Sequence, residues 1–178
     1  MTKTKTKRRI IWICMTGIMM AMNIVMSSFS IPVPGGHLYL CDIVICTAAL
    51  LFDPVAAFIT GGVGSFIGDM LFYPAPMFVS LVTHGVQAAV ISLIAHRTFR
   101  SRPVIASTLG VTVGAIIMVI GYTIGRAFIY STPEYAIIKL PFEIMQAALG
   151  AICGVLLCHK CGLRQKYNAL MGGSAAAD

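Results

Sequence analysis

The stretch Gly35–Pro74, GGHLYLCDIVICTAALLFDPVAAFITGGVGSFIGDMLFYP, decides the fold class of this chain. It is too apolar for the surface of a water-soluble domain, yet it contains three aspartates, Asp42, Asp53 and Asp69. The same bias holds for the whole chain, of whose 178 residues 58% are hydrophobic and 11% are charged. Soluble domains carry about 25% charged residues. The composition therefore predicts an integral membrane protein with little mass in water.

Long, continuous apolar runs predict transmembrane helices rather than a barrel. A transmembrane β-barrel shows segments of about ten residues with alternating hydrophobicity. Here six runs are separated by prolines and short loops, as expected for an all-α bundle of six transmembrane helices. The six predicted spans are residues 10–29, 38–52, 54–73, 76–96, 104–130 and 135–158. We expect one membrane domain over 10–160, a basic N-terminus at 1–9, and a tail at 161–178 that is disordered at its end.

The lysines and arginines predict that both termini face the cytoplasm. Of the 13 lysines and arginines, all but two fall in the N-terminus, the loop between the fourth and fifth spans, and the tail. These segments share one side of the membrane if the first run, which has spanning length, is a retained helix rather than a cleaved leader. Only Lys139, in an outer loop, and Arg126, near an outer helix end, lie elsewhere. The net charge of +7 therefore indicates topology and contact with the lipid bilayer, and no nucleic-acid partner is expected.

This orientation places nearly all strongly polar intramembrane side chains in the outer half of the bundle. Three pairs among them each share one helix face: His84 with Gln87, Tyr122 with Arg126, and Glu143 with Gln146. Ionisable groups within a membrane normally face the bundle interior or a water-filled cavity. We therefore predict a polar binding cavity that is open to the outside and closed towards the cytoplasm. A channel, or a proton path across the whole membrane, would need polar groups in the inner half as well.

Each candidate residue also has a purely structural interpretation. For His84, the presence of Gln87 one turn away favours contact with a ligand. Asp53 is expected to turn the chain at the cytoplasmic surface. The structural alternatives are satisfied helix ends for Asp42 and Asp69, a mutual ion pair for Arg126 and Glu143, core packing for His84, and interfacial anchoring for Tyr39 and Tyr122.

The six cysteines are scattered and predict no metal site. Most of them lie within apolar runs, where a free cysteine behaves as a small hydrophobe. The CHKC segment at 158–161 has C-x-x-C spacing, but a structural zinc site needs a second pair of ligands. We therefore expect neither a metal nor a cofactor in this chain.

Small residues at four-residue spacing recur along the chain and indicate close packing of helices. The pairs are Gly17/Ala21, Gly64/Gly68, Gly110/Gly114, Gly121/Gly125 and Gly150/Gly154. We expect most of them to pack inside the bundle. The pair Gly17/Ala21, on the first span, is the candidate for contact with a helix of a partner protein.

The stretch from Gly35 to Pro74 resembles the second and third helices of the substrate-binding S components of energy-coupling factor (ECF) vitamin transporters. That family typically shows a Gly-Gly-aromatic loop, an Asp starting the second helix, a Pro starting the third, and a Gly-rich run ending in an acid and Tyr-Pro. The matching positions are Gly35, Gly36, Asp42, Pro54, Gly61, Gly62, Gly64, Asp69, Tyr73 and Pro74. The segments GYTIGRAFIY and LPFEIMQAALG are similar to the family's fifth and sixth helices, so the resemblance covers nearly the whole chain.

The resemblance implies a vitamin-capturing role in the bacterial cell membrane. An S component binds its vitamin at the outer face and docks on a transmembrane coupling subunit that two ATPase subunits drive; toppling of the S component is thought to carry the ligand inward. Gly17 and Ala21 stand where the family often has two alanines that make this contact. The chain has no G-x-x-x-x-G-K-[ST] loop, so ATP hydrolysis is expected from the partners and binding is the only chemistry expected here.

The subgroup that the chain resembles most handles small ring compounds such as pyridoxine (vitamin B6) or hydroxymethylpyrimidine. The polar groups of this chain suit a hydroxylated nitrogen heterocycle, with Tyr39, Tyr122 or Phe72 stacked on the ring. The predicted substrate-binding residues are His37, Tyr39, Asp42, Asp69, His84, Gln87, Tyr122, Arg126, Glu143 and Gln146. The chain departs from the family at Arg126, where an acid is common, and at Glu143, where Asn is common. A carboxylated vitamin such as pantothenate or lipoate would use Arg126 instead.

Two other classes of function have less support from the residues. An intramembrane enzyme would take its acid and base from Asp42, Asp69, His84 and Glu143. The sequence contains neither an H-E-x-x-H metal-binding motif nor an identifiable set of nucleophile and base. An independent proton-coupled carrier would need acids in the inner half, where the sequence places mainly hydroxyl groups. We therefore predict a substrate-binding component rather than an enzyme.

Overall fold

A computed structural model describes residues 3–98 and 101–172, nearly all of them in helices joined by short loops. The helices are α1 (Lys3–Ser28), α2 (Cys41–Leu51), α3 (Pro54–Phe58), α4 (Gly64–Phe72), α5 (Met77–Arg97), α6 (Pro103–Gly125), α7 (Pro133–Val155) and α8 (Leu163–Leu170). Two short strands, β1 (Ser30–Val33) and β2 (Gly36–Tyr39), join α1 to α2. Five-residue π-helical segments continue α3, α6 and α7 at Ile59–Val63, Arg126–Tyr130 and Leu156–Lys160. Residues 173–178, for which disorder was predicted, lie outside the described residues.

Five helical stretches of the described chain are long and apolar enough to cross a membrane. They are Lys5–Ser28, Pro54–Phe72, Met77–Arg97, Pro103–Tyr130 and Pro133–Lys160. Their outer faces expose large apolar side chains such as Ile116 and Ile152, as a lipid-facing surface requires. The sixth apolar helix, α2, has 11 residues and spans about 16 Å, roughly half of the hydrocarbon layer. The multi-pass helical bundle is confirmed, whereas the structure has five full-length spans instead of six.

The second predicted span is short because its first residues form a β-hairpin. Strands β1 and β2 pair antiparallel along all four of their residues. Gly35, in the turn between them, and Gly36, the first residue of β2, have φ angles of +81° and +150°, a region that residues with a side chain rarely occupy. The Gly-Gly pair thus produces a tight turn, and α2 begins at Cys41 instead of near residue 38. This hairpin is the one departure, among the described residues, from the predicted all-α architecture.

The hairpin and the two ends of the described chain lie at opposite ends of the bundle, because successive long helices run in opposite directions. The indole nitrogen of Trp12 in α1 donates a hydrogen bond to Asp53, at the turn between α2 and α3. Close to the same end, Gly172 lies beside the guanidinium of Arg8. We refer to the end that carries β1 and β2 as the hairpin end and to the other as the opposite end.

The opposite end contains a helix cap and a short additional helix. The carboxylate of Asp53 accepts hydrogen bonds from the backbone N–H groups of Val55 and Ala56 and so caps α3, which confirms its predicted role in the turn. The tail contains α8, whose Tyr167 packs against Phe52 with ring centroids 5.2 Å apart. The tail is therefore part of the folded bundle at least as far as this helix.

Helix α2 is the centre of the bundle, since ten of its 11 residues are buried. Two glycines of α7 allow its closest contact. A Cβ atom on Gly150 would lie 2.6 Å from the Cβ of Asp42, and one on Gly154 would lie 2.8 Å from the Cβ of Cys46. These distances leave no room for a side chain, so the glycines set how closely α7 approaches α2.

Gly17 behaves differently from the other glycines of the small-residue pairs. The other four pairs face neighbouring helices at contact distance, as predicted. A Cβ atom on Gly17 would meet nothing within 4 Å, and Ala21 one turn later is exposed. The pair thus forms a small, flat site on the outside of α1, which the packing of this chain does not explain.

Candidate functional site

A small polar cavity lies at the hairpin end, between β2 and the surrounding helices. Eight of the ten predicted substrate-binding residues line it: His37, Tyr39, Asp69, His84, Tyr122, Arg126, Glu143 and Gln146. The two others, Asp42 and Gln87, are buried behind the wall of the cavity. Phe72, predicted as a stacking residue, is 51% exposed on the outside of α4 and does not line the cavity. These three residues do not line the cavity in this structure, and their contact with a ligand stays a prediction.

The cavity is closed in this structure. Its volume of about 30 Å³ has room for one or two water molecules and not for a vitamin ring. A larger groove of about 450 Å³ lies between α6 and α7. It is lined by apolar side chains such as Ile120 and Ile144 and opens sideways, where the bundle faces lipid. The groove lacks polar groups to recognise a vitamin, so the smaller polar cavity is the candidate site.

Asp42 is the centre of a buried hydrogen-bond network, which we call the Asp42 network and which also contains His84, Gln87 and Gln146. The carboxylate of Asp42 accepts from Gln146 Nε2 at 2.6 Å and from Gln87 Nε2 at 3.2 Å. Its members come from α2, α5 and α7. A fully buried carboxylate that binds two amides in this way holds three helices in register.

The direction of the hydrogen bonds in the Asp42 network follows from one backbone N–H group, that of Tyr39. The N–H of Tyr39 can only donate, and it bonds to Gln146 Oε1 at 2.9 Å. The Gln146 nitrogen therefore points to Asp42, and the carboxylate in turn orients the nitrogen of Gln87. The Gln87 oxygen is left to accept from His84 Nδ1, 2.7 Å away. His84 accordingly carries a proton on Nδ1, and in the neutral imidazole its Nε2 is a hydrogen-bond acceptor.

A second group, the Arg126 cluster, consists of Arg126, Tyr130, Lys139 and Glu143. Glu143 Oε1 lies 3.0 Å from Arg126 Nη2 and 3.4 Å from Lys139 Nζ. The ion pair between Arg126 and Glu143 that the sequence predicted is therefore present. The guanidinium also lies over the ring of Tyr130, 5.2 Å from its centroid. This is the more highly charged part of the cavity wall.

Lys139 is the clearest residue that the sequence analysis misplaced. It was assigned to an outer loop, but it lies within α7, is 2% exposed, and lines the cavity. The sequence feature that could have indicated its position is the spacing of four residues from Glu143, which puts both side chains on one helix face. Ser80 was also missed. Its hydroxyl donates to Asp69 and lies 2.5 Å from the hydroxyl of Tyr122, contacts that a lone serine in an apolar helix does not reveal.

The hairpin forms the cover of the cavity. His37 and Tyr39 project from β2, and the His37 ring lies 6.2 Å from that of Tyr39. Burial, together with the nearby carboxylate of Asp69, raises the pKa of the Tyr39 phenol, so this side chain is neutral and can donate. Two side chains hold the hairpin: Gln146 through the N–H of Tyr39, and Arg126 Nη1 through the carbonyl oxygen of Gly35 at 3.0 Å.

The described residues contain one group of potential metal ligands, Cys41, Asp42 and His84. Their donor atoms lie within 4.8 Å of one another. Asp42 and His84 already use their facing atoms in hydrogen bonds to Gln87 and Gln146. These contacts explain the group as part of the Asp42 network, and the sequence-based expectation of no metal stays a prediction.

Comparison with known proteins identifies the family. Residues 7–162 match the family described as the S component of the ECF-type riboflavin transporter. The chain belongs to this family of S components. Its fold is similar to that of a solved S component of a bacterial ECF transporter, with a TM-score of 0.67 at 21% identity; the match covers 91% of this chain and 99% of the other.

Two curated relatives have descriptions that name no ligand. A protein of Pyrococcus woesei, described as uncharacterized and located in the gap 3' region, is 32% identical over 126 residues, which cover 70% of this chain and 82% of the relative. A UPF0397 protein of Streptococcus gordonii is 28% identical over 128 residues, 67% of this chain and 69% of the relative. The predicted resemblance to S components is thus confirmed, and the S component is a multi-pass membrane protein. Its assignment to the pyridoxine or hydroxymethylpyrimidine subgroup stays a prediction.

Proposed function

We propose that this S component captures a small ring vitamin, pyridoxine or hydroxymethylpyrimidine, in the cavity at the hairpin end for ATP-driven import. The observation that carries the proposal is the convergence of eight predicted binding residues from distant parts of the chain on one cavity. Beneath it the bundle is filled by buried apolar side chains such as Ile45 and Ile91. A polar site with an apolar floor suits binding at one face and does not suit a continuous pore.

The hairpin is the element that we expect to move when a ligand enters. The cavity must widen to admit a vitamin ring, and the helices around it are packed through glycines that leave no slack. By contrast, the side-chain bonds of Gln146 and Arg126 hold the hairpin. The bond from Gln146 contributes about 1 kcal/mol and the charged bond from Arg126 about 1.5–3 kcal/mol. Both must break, and the buried side chain of Leu38 must leave its site, when the hairpin moves.

In the proposed orientation the hairpin end faces outward and both ends of the chain face the cytoplasm. The distribution of lysine and arginine along the sequence supports this direction. We propose that the exposed pair Gly17/Ala21 on α1 contacts a transmembrane coupling subunit, which two ATPase subunits drive. The open space at Gly17 supports this role, since a partner helix can approach closely only where side chains are small.

Riboflavin is the second candidate ligand, because the matching family is described as a riboflavin transporter component. Its three fused rings require a wider opening of the hairpin than a single ring does. The two ligand classes therefore require different displacements of the hairpin, and identification of the bound molecule distinguishes between them.

The proposal is tested by native mass spectrometry of the S component purified from cells grown in rich medium. We expect a copurified B6 vitamer or pyrimidine, and copurified riboflavin would favour the second candidate. Titration with pyridoxine, hydroxymethylpyrimidine and riboflavin then compares wild type with His84→Ala. We expect about tenfold weaker binding because one hydrogen bond is lost, whereas His96→Ala, at the opposite end, leaves affinity unchanged. Equal affinity in both variants would contradict the assignment of the site.

The partner contact is tested with Gly17→Leu. Because the site is exposed, we expect the variant to fold and to bind vitamin like wild type, but to lose association with the coupling subunit and uptake. Ala148→Leu is the matched control, since it places the same side chain on the exposed face of α7. Retained uptake by Gly17→Leu would rule out this surface as the docking site.

A further inference from the structure

Two buried donors on the wall of the cavity have no hydrogen-bond partner anywhere in the described parts of the chain. They are Arg126 Nε and the hydroxyl of Tyr130, and both residues line the cavity. Arg126 is 9% exposed, so it has little contact with bulk water, and the cavity beside it has room for only one or two water molecules. Buried polar groups are nearly always paired. Two unpaired donors that share one cavity wall therefore point to a group that is supplied from outside the chain.

The charges of the Arg126 cluster point to the chemistry of that group. Arg126 and Lys139 carry two positive charges and share a single carboxylate, that of Glu143. Moreover, both cations bond to the same oxygen of Glu143, Oε1. Within the cluster the cations therefore outnumber the carboxylates by one, in addition to the unpaired donors. The carboxylates of Asp69, on the same cavity, and of Asp42, behind its wall, lie outside the cluster. An oxygen atom that carries negative charge satisfies both needs at once.

The acceptors of the cavity lie about one helical turn further from the hairpin. Tyr122 precedes Arg126 by four residues on the same helix face, which is about 6 Å along the axis. Beside Tyr122 lie the His84 ring, 5.1 Å away between centroids, and Asp69, which Tyr122 reaches through Ser80. In the neutral imidazole of His84, whose Nδ1 donates to Gln87, the Nε2 atom is an acceptor. The cavity is thus polarised, with donors next to the hairpin and acceptors below them.

We infer that Arg126, Tyr130 and Lys139 form a subsite for a negatively charged oxygen of the ligand, whose N–H or O–H group binds His84 Nε2. This inference rests on the proposed function and narrows its ligand. A hydroxypyridine suits both the donors and the acceptors of the cavity. In its zwitterionic form the oxygen bonded to the ring is negative and the ring nitrogen carries a proton. A carboxylate offers the same oxygen chemistry to the subsite. Hydroxymethylpyrimidine and riboflavin carry no charged oxygen.

The decisive variant is Tyr130→Phe, which removes one unpaired hydroxyl and no hydrogen bond among the described residues. A purely structural role predicts unchanged affinity, since no partner is lost. The subsite predicts a five- to tenfold loss of affinity for pyridoxine, while the ligand-free protein melts at the same temperature or higher. Tyr135→Phe is the matched control, because Tyr135 is exposed at the start of α7 and does not line the cavity. Its affinity is expected to equal that of wild type.

Titration of the wild-type S component with four compounds tests the ligand class. Pyridoxine carries a charged oxygen bonded to its ring, and pantothenate carries a carboxylate. Hydroxymethylpyrimidine and riboflavin carry neither group. Tightest binding of pyridoxine or pantothenate, weakened by Tyr130→Phe, supports the subsite and tells the two oxygen sources apart. Tightest binding of either uncharged compound, or equal affinity of Tyr130→Phe and wild type, overturns the subsite alone. Failure of all four to bind overturns the proposed function and the subsite with it.

Discussion

The Asp42 network and the Arg126 cluster lie side by side at the hairpin end, and each is built around one carboxylate. Asp42 binds neutral amides, lies behind the wall of the cavity, and completes a chain of hydrogen bonds that ends at a backbone N–H. Glu143 binds two cations, lines the cavity, and leaves donors of its neighbours unpaired. The first arrangement is complete within the protein and the second is not. In the proposed function, the carboxylate of Asp42 therefore supports the site, and that of Glu143 lies in the wall that faces the ligand.

The largest effect is expected for Glu143→Gln, which removes the negative charge between Arg126 and Lys139. Two buried cations are then left without compensation, and the free energy of unfolding should fall by about 3–5 kcal/mol. Denaturant unfolding of the detergent-solubilised protein measures this loss. Glu134→Gln, an exposed substitution in the first turn of the same helix, is the control. Equal stability of the two variants would mean that the ion pairs contribute nothing to the fold.

Asp42→Asn is expected to have the second-largest effect. The variant keeps the volume of the side chain but loses the charge that orients both glutamines, and a hydrogen bond to a charged group contributes about 1.5–3 kcal/mol. Thermal unfolding should show this loss, while Glu134→Gln, an exposed substitution in the first turn of α7, should be nearly neutral. If Asp42→Asn were as stable as Glu134→Gln, the Asp42 network would not hold the helices together.

Gly150→Ala tests the packing on which the Asp42 network depends. The added Cβ would lie 2.6 Å from the Cβ of Asp42, so α7 must move away from α2 at a cost of about 1–2 kcal/mol. Gly17→Ala is the control, with open space around it and a gain of up to about 1 kcal/mol from helix propensity. A thermal shift of the same sign in both variants would contradict the different packing of the two glycines.

Arg126→Lys is expected to give the smallest effect, confined to the hairpin. Lysine keeps the charge next to Glu143 but lacks the planar fork that also reaches the carbonyl of Gly35. Loss of that bond favours local opening by about 1 kcal/mol, a roughly fivefold faster exchange of the hairpin amides. Hydrogen exchange with mass spectrometry measures it, with Arg97→Lys at the opposite end as control. Unchanged exchange would mean that the Asp42 network alone holds the hairpin.

Much of the site could be predicted because its residues are unusual for a membrane helix. A carboxylate, imidazole or guanidinium within an apolar run is costly unless it faces the interior, so His84, Arg126 and Glu143 were recognisable by type alone. Lys139 was missed because it lies near a helix end, where a lysine ordinarily reaches water. Ser80 and Tyr130 were missed because serine and tyrosine are common in membrane helices without any role in binding.

The division between cavity wall and supporting network could not be predicted. His84 and Gln87 share one helix face, and both were predicted to contact the ligand. In the structure His84 lines the cavity, whereas Gln87 lies behind it and bonds to Asp42. A difference of this kind depends on the rotation of α5 relative to α2 and α7. Spacing within one helix carries no information about that rotation.

The sequence by itself determined that this chain is a multi-pass membrane protein with short connections and polar residues concentrated in one half of its helices. These features are local, since apolar length, proline and the spacing of charges act within single segments. The tertiary structure alone decided that residues 36–39 pair as a strand, that Lys139 is buried, and that Asp42 supports the cavity instead of lining it. Those outcomes depend on which side chains meet across different helices, and the close approach that glycines such as Gly150 permit is a property of helix pairs.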